Sequence, residues 1–83
     1  MTPAAAFGEV LRELRRARGM SQEALADACD CDRTYPSLLE RGLRTPTLSS
    51  MFRLADALHV APSEIVERTC ARLRSAALAQ PIG

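Results

Sequence analysis

No apolar run in this chain approaches the ~20 residues needed to span a bilayer, so the sequence argues against a membrane partner. The first ten residues, MTPAAAFGEV, lack the basic start and the long apolar stretch of a signal peptide, which makes the cytoplasm the expected compartment. Lysine is missing altogether. All eleven basic residues are arginine and alanine is abundant, a pairing that a GC-rich coding sequence produces by itself. Cysteine occurs three times, as Cys29, Cys31 and Cys70, an odd number that builds no disulfide framework; without an export signal, reduced thiols are expected. One histidine, His59, and no second close cysteine pair leave a zinc site short of ligands, so neither a metal nor any other cofactor is expected. There is no Ser/His/Asp set, no glycine-rich phosphate loop and no pair of carboxylates in a pocket-sized fold, which argues against an enzyme. Repeats, linkers and low-complexity segments are absent too.

What remains is 83 residues, 47 % of them hydrophobic and few aromatic, a composition suited to one compact domain over residues 1–83, all-α and built from Leu, Ala, Val and Ile. A chain of this size buries only roughly 60 % of its unfolded surface, so its stability is modest and gains from oligomerisation. Five helices are predicted. Thr2 caps the first, with Pro3 at its first position, Phe7, Leu11 and Leu14 at helical spacing and Gly19 as the left-handed stop. Ser21 caps the second, which buries Leu25, Ala26 and Cys29. In the turn Asp30-Cys31-Asp32, Asp30 tolerates positive φ, Cys31 packs inward and Asp32 caps a third helix from Arg33 to about Arg41, closed by Gly42. Thr47 caps the fourth, with Leu48, Met51, Phe52, Ala55 and Leu58 as its apolar stripe and His59 in the stop position. Pro62 opens the fifth, whose period through Ile65, Val66, Cys70, Leu73 and Ala77 carries it to about Leu78; Gln80-Pro81 should end the ordered chain.

The tract SQEALADACDCDRTYPSLLERGLRTP, residues 21–46, carries most of the functional information. Two short helices joined by a tight turn, the second with an open polar face, form a helix-turn-helix, which sets its second helix in the major groove of double-stranded DNA. The net charge of +1 is no argument for a nucleic-acid partner, but its distribution is better: from Arg33 to Arg53 there are four arginines and one acid, Glu40. With Pro36 and Leu39 toward the core, the third helix exposes Arg33, Thr34, Ser37, Leu38 and Arg41. Arg33 can pair with guanine O6 and N7, Thr34 can touch a thymine methyl, and Ser37 is short enough to let the helix approach. Arg41, Arg44 and Thr45 suit phosphate.

Taken in order, LRELRRARGMSQEALA, then R-x-x-x-x-x-x-E-R-G-x-R-x-P-T-L, then ALHV-x-P-S-E-I resemble the Cro/repressor (Xre-type) helix-turn-helix family over about residues 7–68. DRTYPSLLERGLR narrows the likeness to the controller proteins of restriction-modification systems. The resemblance implies a five-helix domain with a C-terminal helical extension and tail over residues 69–83, and a transcription regulator binding a pseudo-palindromic operator as a homodimer. It implies that Gln22 abuts a phosphate, that the Tyr35 hydroxyl reaches one too, with space-filling between helices as the alternative, and that Arg15 pairs with Glu40 as a structural salt bridge. The expected dimer contact lies at the fifth helix and the end of the fourth, through Ile65, Val66, Thr69, Cys70 and Leu73, unless Ile65 and Val66 close the monomer core. RNA polymerase is a further partner if the regulator activates. A second reading is an antitoxin, whose segment from Arg68 onward binds a toxin-like protein while the helix-turn-helix represses its own operon.

Three departures from the family stand out. Pro36 replaces an Ile or Val; counted from Asp32 as cap it is the fourth helical residue, so it deletes the first intrahelical bond and pushes Tyr35 out of the α region. A loosened or 3₁₀-like first turn carrying Arg33 and Thr34 is the expected result. Asp30 replaces the turn glycine, and Leu38 stands where many relatives are polar. Cys29 and Cys31 occupy apolar core slots, with redox sensing the minor alternative.

Overall fold

A computed structural model describes residues 1–79; the expected end of order at Gln80-Pro81 lies outside them. The described residues form five helices and no strand: α1 Pro3–Ala17, α2 Gln22–Ala28, α3 Tyr35–Glu40, α4 Leu48–Leu58 and α5 Pro62–Ala79. The starts follow the sequence. Thr2, Ser21 and Thr47 are extended, and each side-chain oxygen accepts the backbone N–H three residues on, from Ala5, Ala24 and Ser50 at 3.0–3.1 Å.

Four helices end in one way. A residue at positive φ follows the last turn, and the next N–H reaches back five residues: Met20 to Arg15, Cys31 to Ala26, Leu43 to Leu38 and Val60 to Ala55, at 2.9–3.1 Å. The left-handed residues are Gly19, Asp30, Gly42 and His59, with φ of 67°, 55°, 71° and 57°. Asp30 and His59 hold a conformation that costs an L-residue more than glycine, and the reverse turns they make are what fold α2 onto α3 and α4 onto α5.

The start of α3 departs from expectation. Arg33 and Thr34 lie in a turn, and the helix begins at Tyr35. Asp32 Oδ1 accepts from the Thr34 N–H at 2.9 Å and from the Thr34 hydroxyl at 2.7 Å, while the Tyr35 N–H donates to the Asp32 carbonyl at 3.0 Å. The loosened, 3₁₀-like first turn is therefore present, but the arithmetic behind it changes. Pro36 is the second helical residue, where an N–H has no intrahelical partner in any case, and Tyr35 is helical. The late start removes the strain.

Phe7, Val10, Leu11, Leu14, Leu25, Leu39, Leu54, Leu58 and Ile65 make the core with Cys29 and Ala55. Each such large side chain, taken from water, contributes about 1.5–3 kcal/mol. α1 packs on α3 and α5, α2 on α3 and α4, so α3 is pressed from behind by two helices. The stripe assigned to α4 needs correction: Leu54, Ala55 and Leu58 are buried and Met51 packs on the core, but Leu48 and Phe52 are exposed. α5 has one fully buried residue, Ile65. It is clasped to α1 by Arg72, which donates to Glu9 at 2.8 Å and to Glu13. The left-handed Asp30 folds Cys31 back beside Cys29, their Cα atoms 5.4 Å apart, so the two sulfurs are brought together; Cys70 is exposed.

Candidate nucleic-acid interface

The residues expected to meet DNA surround α3, and the structure sorts them by what already holds them. Arg33, Thr34, Arg41, Arg44 and Thr45 are exposed; Gln22, Tyr35, Ser37 and Leu38 are partly so. Pro36 and Leu39 face the core, as the sequence requires of a helix read from its other side. Thr34 spends its hydroxyl proton on Asp32, and the two bonds from Thr34 hold that carboxyl below its usual range. Arg33 is tied to Glu23 of α2, which raises its already high pKa, with Asp27 adding to the negative field. Arg41 and Arg44 carry no ion pair among the described residues. They are free cations beside a helix whose polar face is open. Tyr35 is half-buried against the core, which matches its space-filling alternative at the ring.

Behind this face lies a buried polar hub. Glu40, the last residue of α3, has a fully buried side chain that accepts four hydrogen bonds. Arg15 donates through Nε at 2.6 Å and Nη2 at 3.0 Å, Arg12 through Nε at 3.3 Å and Gln22 through Nε2 at 3.1 Å. Arg15 also donates from Nη1 to the Met20 carbonyl at 2.7 Å, so one guanidinium joins α1, the loop before α2 and the end of α3. Burial pushes the Glu40 carboxyl up, but the bonds from Arg15, Gln22 and Arg12 outweigh it and hold the carboxyl below its ordinary value. The pairing of Arg15 with Glu40 is as the sequence implied. Gln22 is a partial correction: one of its two amide N–H groups is committed to Glu40, which leaves a single donor for a phosphate.

At the expected dimer contact, Ile65 is wholly buried in the monomer and is unavailable to a second chain. Val66, Thr69, Cys70 and Leu73 line an open apolar groove of about 540 Å³, walled by Pro3, Phe7, Pro46 and Met51. Sequence reasoning missed three features. The pairing of Glu23 with Arg33 went unseen, Leu48 and Phe52 were placed in the core, and Gly8 was passed over. The carboxylate ten residues before Arg33 was the available signal for the first. For the second, two large apolar residues at i and i+4 at the start of α4 gave no hint of which way they face.

Comparison with known proteins bears on the family and the fold. A family model described as a helix-turn-helix domain matches residues 6–67. The control protein C.BamHI of Bacillus amyloliquefaciens is 41 % identical over 64 residues, 76 % of this chain and 79 % of that one. The crystal structure of the restriction-modification controller protein C.AhdI from Aeromonas hydrophila superposes with a TM-score of 0.73 at 45 % identity, covering 75 % of this chain and 94 % of its own. C.Esp1396I, solved as a tetramer in complex with its natural 35-base-pair operator, superposes with a TM-score of 0.78 at 29 % identity, covering 87 % of this chain and 95 % of its own.

Proposed function

The chain belongs to the helix-turn-helix domain family, and on that premise we propose that it is a sequence-specific regulator of transcription that binds double-stranded DNA as a homodimer. The observation that carries this reading is the open face of α3 and the turn before it, flanked by the unpaired Arg41 and Arg44 and backed by the Glu40 hub. The likeness to controller proteins, one of them solved on its operator, supports it. Among the described residues no helix is long and apolar enough to cross a membrane, which agrees with a cytoplasmic site of action.

In this reading Arg33 reads guanine, Thr34 offers its methyl to thymine, Ser37 and Leu38 line the groove, and Arg41, Arg44, Thr45, Tyr35 and the free N–H of Gln22 hold phosphates. Two recognition helices one helical turn of DNA apart, ~34–36 Å, read the two halves of a palindrome. Arg33→Ala loses about 1–3 kcal/mol on the operator and relaxes the preference at one base pair, whereas Arg44→Ala weakens all sequences alike. Fluorescence anisotropy on operator and scrambled duplexes at fixed salt checks both. Equal, weak binding of the unaltered chain to the two duplexes rules the reading out.

For the dimer seam the exposed pair Leu48 and Phe52, with Leu43 also exposed in the loop after α3, is favoured over the α5 groove. Apolar side chains of this size, 56–72 % exposed, are what a second copy would cover. They also stand close in sequence to the DNA-contacting loop, so pairing there ties dimer geometry to half-site spacing. Phe52→Asp weakens dimerisation at least about tenfold, as the loss of an aromatic anchor does, while Leu73→Asp leaves it intact. Sedimentation velocity distinguishes the two, and the opposite pattern returns the seam to Val66, Thr69, Cys70 and Leu73.

A further inference from the structure

We propose that Glu23 is a positioning residue for DNA specificity: it holds the Arg33 guanidinium in place for base reading and suppresses its attraction to phosphates of any sequence. The inference rests on the reading of Arg33 given above and deepens it. Arg33 stands on a two-residue turn outside α3. Its guanidinium is engaged by Glu23, in the first turn of α2, whose Oε1 accepts from Arg33 Nη2.

A carboxylate in the first turn of a helix needs no special reason to be there. Its engagement with a residue ten positions away, across the turn, is a separate fact. Both side chains are about 70 % exposed, at 72 % and 67 %, so the pair does little for the fold. Its consequence lies in the guanidinium that remains. With one Nη2 proton on Glu23, Arg33 keeps Nε–H, both Nη1 protons and the second Nη2 proton, enough for a bidentate grip on guanine O6 and N7. Ordering that long side chain before binding reduces the entropy lost on binding. A lone arginine at this position would add one cation to the sequence-independent attraction for phosphate. Paired, it adds less.

These two effects have opposite signs on right and wrong DNA, which makes the idea testable. The probe is a duplex that the wild-type chain selects from a random-sequence pool, compared with a scrambled duplex of the same composition. Glu23→Gln should tighten the scrambled duplex about threefold, steepen its salt slope by about one charge, and lower the selected-to-scrambled ratio about tenfold. Its melting temperature should fall by no more than about 5 °C, since the substitution also removes a charge from the first turn of α2. In an Arg33→Ala background the same substitution should leave the ratio unchanged within about twofold, because it acts only through Arg33. Equal tightening on both duplexes would make Glu23 a merely repulsive charge and overturn the proposal. An equal fall in the ratio with and without Arg33 overturns it as well, and makes Glu23 a base reader itself. If the pool yields no preferred sequence, or Arg33→Ala keeps the full preference, the reading of Arg33 fails and takes this proposal with it.

Discussion

Gly8→Ala is expected to lower the stability of this domain by about 2 kcal/mol and its melting temperature by roughly 10 °C, although alanine is the better helix former. Gly8 is buried in the middle of α1, and a Cβ there would lie 2.4 Å from the Leu39 carbonyl oxygen and 2.7 Å from that of Glu40. Both are backbone atoms at the end of α3, so no side chain can swing aside; the helices must separate. Forcing a methyl into such a contact costs about 3 kcal/mol, the upper end of ordinary overpacking, against the ~1 kcal/mol that alanine returns in helix propensity. Separation also moves α3 relative to α1. Operator affinity should therefore fall by more than the loss of folded protein explains. Thermal unfolding followed by circular dichroism checks the first part, and a variant melting at or above wild type would refute the close approach.

The second large effect belongs to Glu40. Glu40→Ala strands Arg15, whose side chain is 10 % exposed, without its counter-charge, and the expected loss is about 3–5 kcal/mol. A domain of this size has on the order of 4–12 kcal/mol in total, so the variant loses roughly a quarter of its stability or more. Arg15→Met combined with Glu40→Leu should recover most of the loss, since apolar residues of similar volume replace a buried pair well. Urea unfolding of the single and double variants measures the difference; a double variant as weak as the single would mean that the hub contributes through something other than its charges. The hub also sets an acid limit. Because the folded-state pKa of Glu40 lies below its ordinary value, its contribution is complete above the unfolded-state value of ~4.3 and is lost as pH falls through the folded-state value. In Arg15→Met/Glu40→Leu this part of the acid destabilisation should be missing.

Local chemistry was legible in the sequence. Thr2, Ser21 and Thr47 as caps and Gly19, Asp30, Gly42 and His59 as left-handed stops appear where the chain alone placed them, and the Arg15–Glu40 pair where the family resemblance implied it. Each depends on a few neighbouring residues or on an ordered family pattern. What was not legible depends on which surfaces meet. Leu48 and Phe52 share a period with Leu58, and periodicity does not tell how far around a helix its neighbours reach. Gly8 reads as a weak point of α1 until α3 is seen lying on it. Gln22 carries an amide that suits a phosphate and a carboxylate equally, and only the fold puts Glu40 within 3.1 Å. Pro36 was recognised as a disturbance, but the chain could not reveal that the helix answers by starting later.

That late start separates two tasks. The side chains that stabilise the domain, Arg15, Leu39 and Glu40, lie beneath α3, while Arg33 and Thr34 stand ahead of it on a turn organised by Asp32. Residues on such a turn are exempt from helix propensity and from core packing. Exchanging them has little effect on a folding free energy that has little to spare. With Arg33 and Thr34 reading DNA as proposed, a gene carrying this scaffold can drift toward new target sequences through positions 33 and 34 while its fold stays above threshold, and a duplicated copy can acquire its own regulatory circuit without first being restabilised.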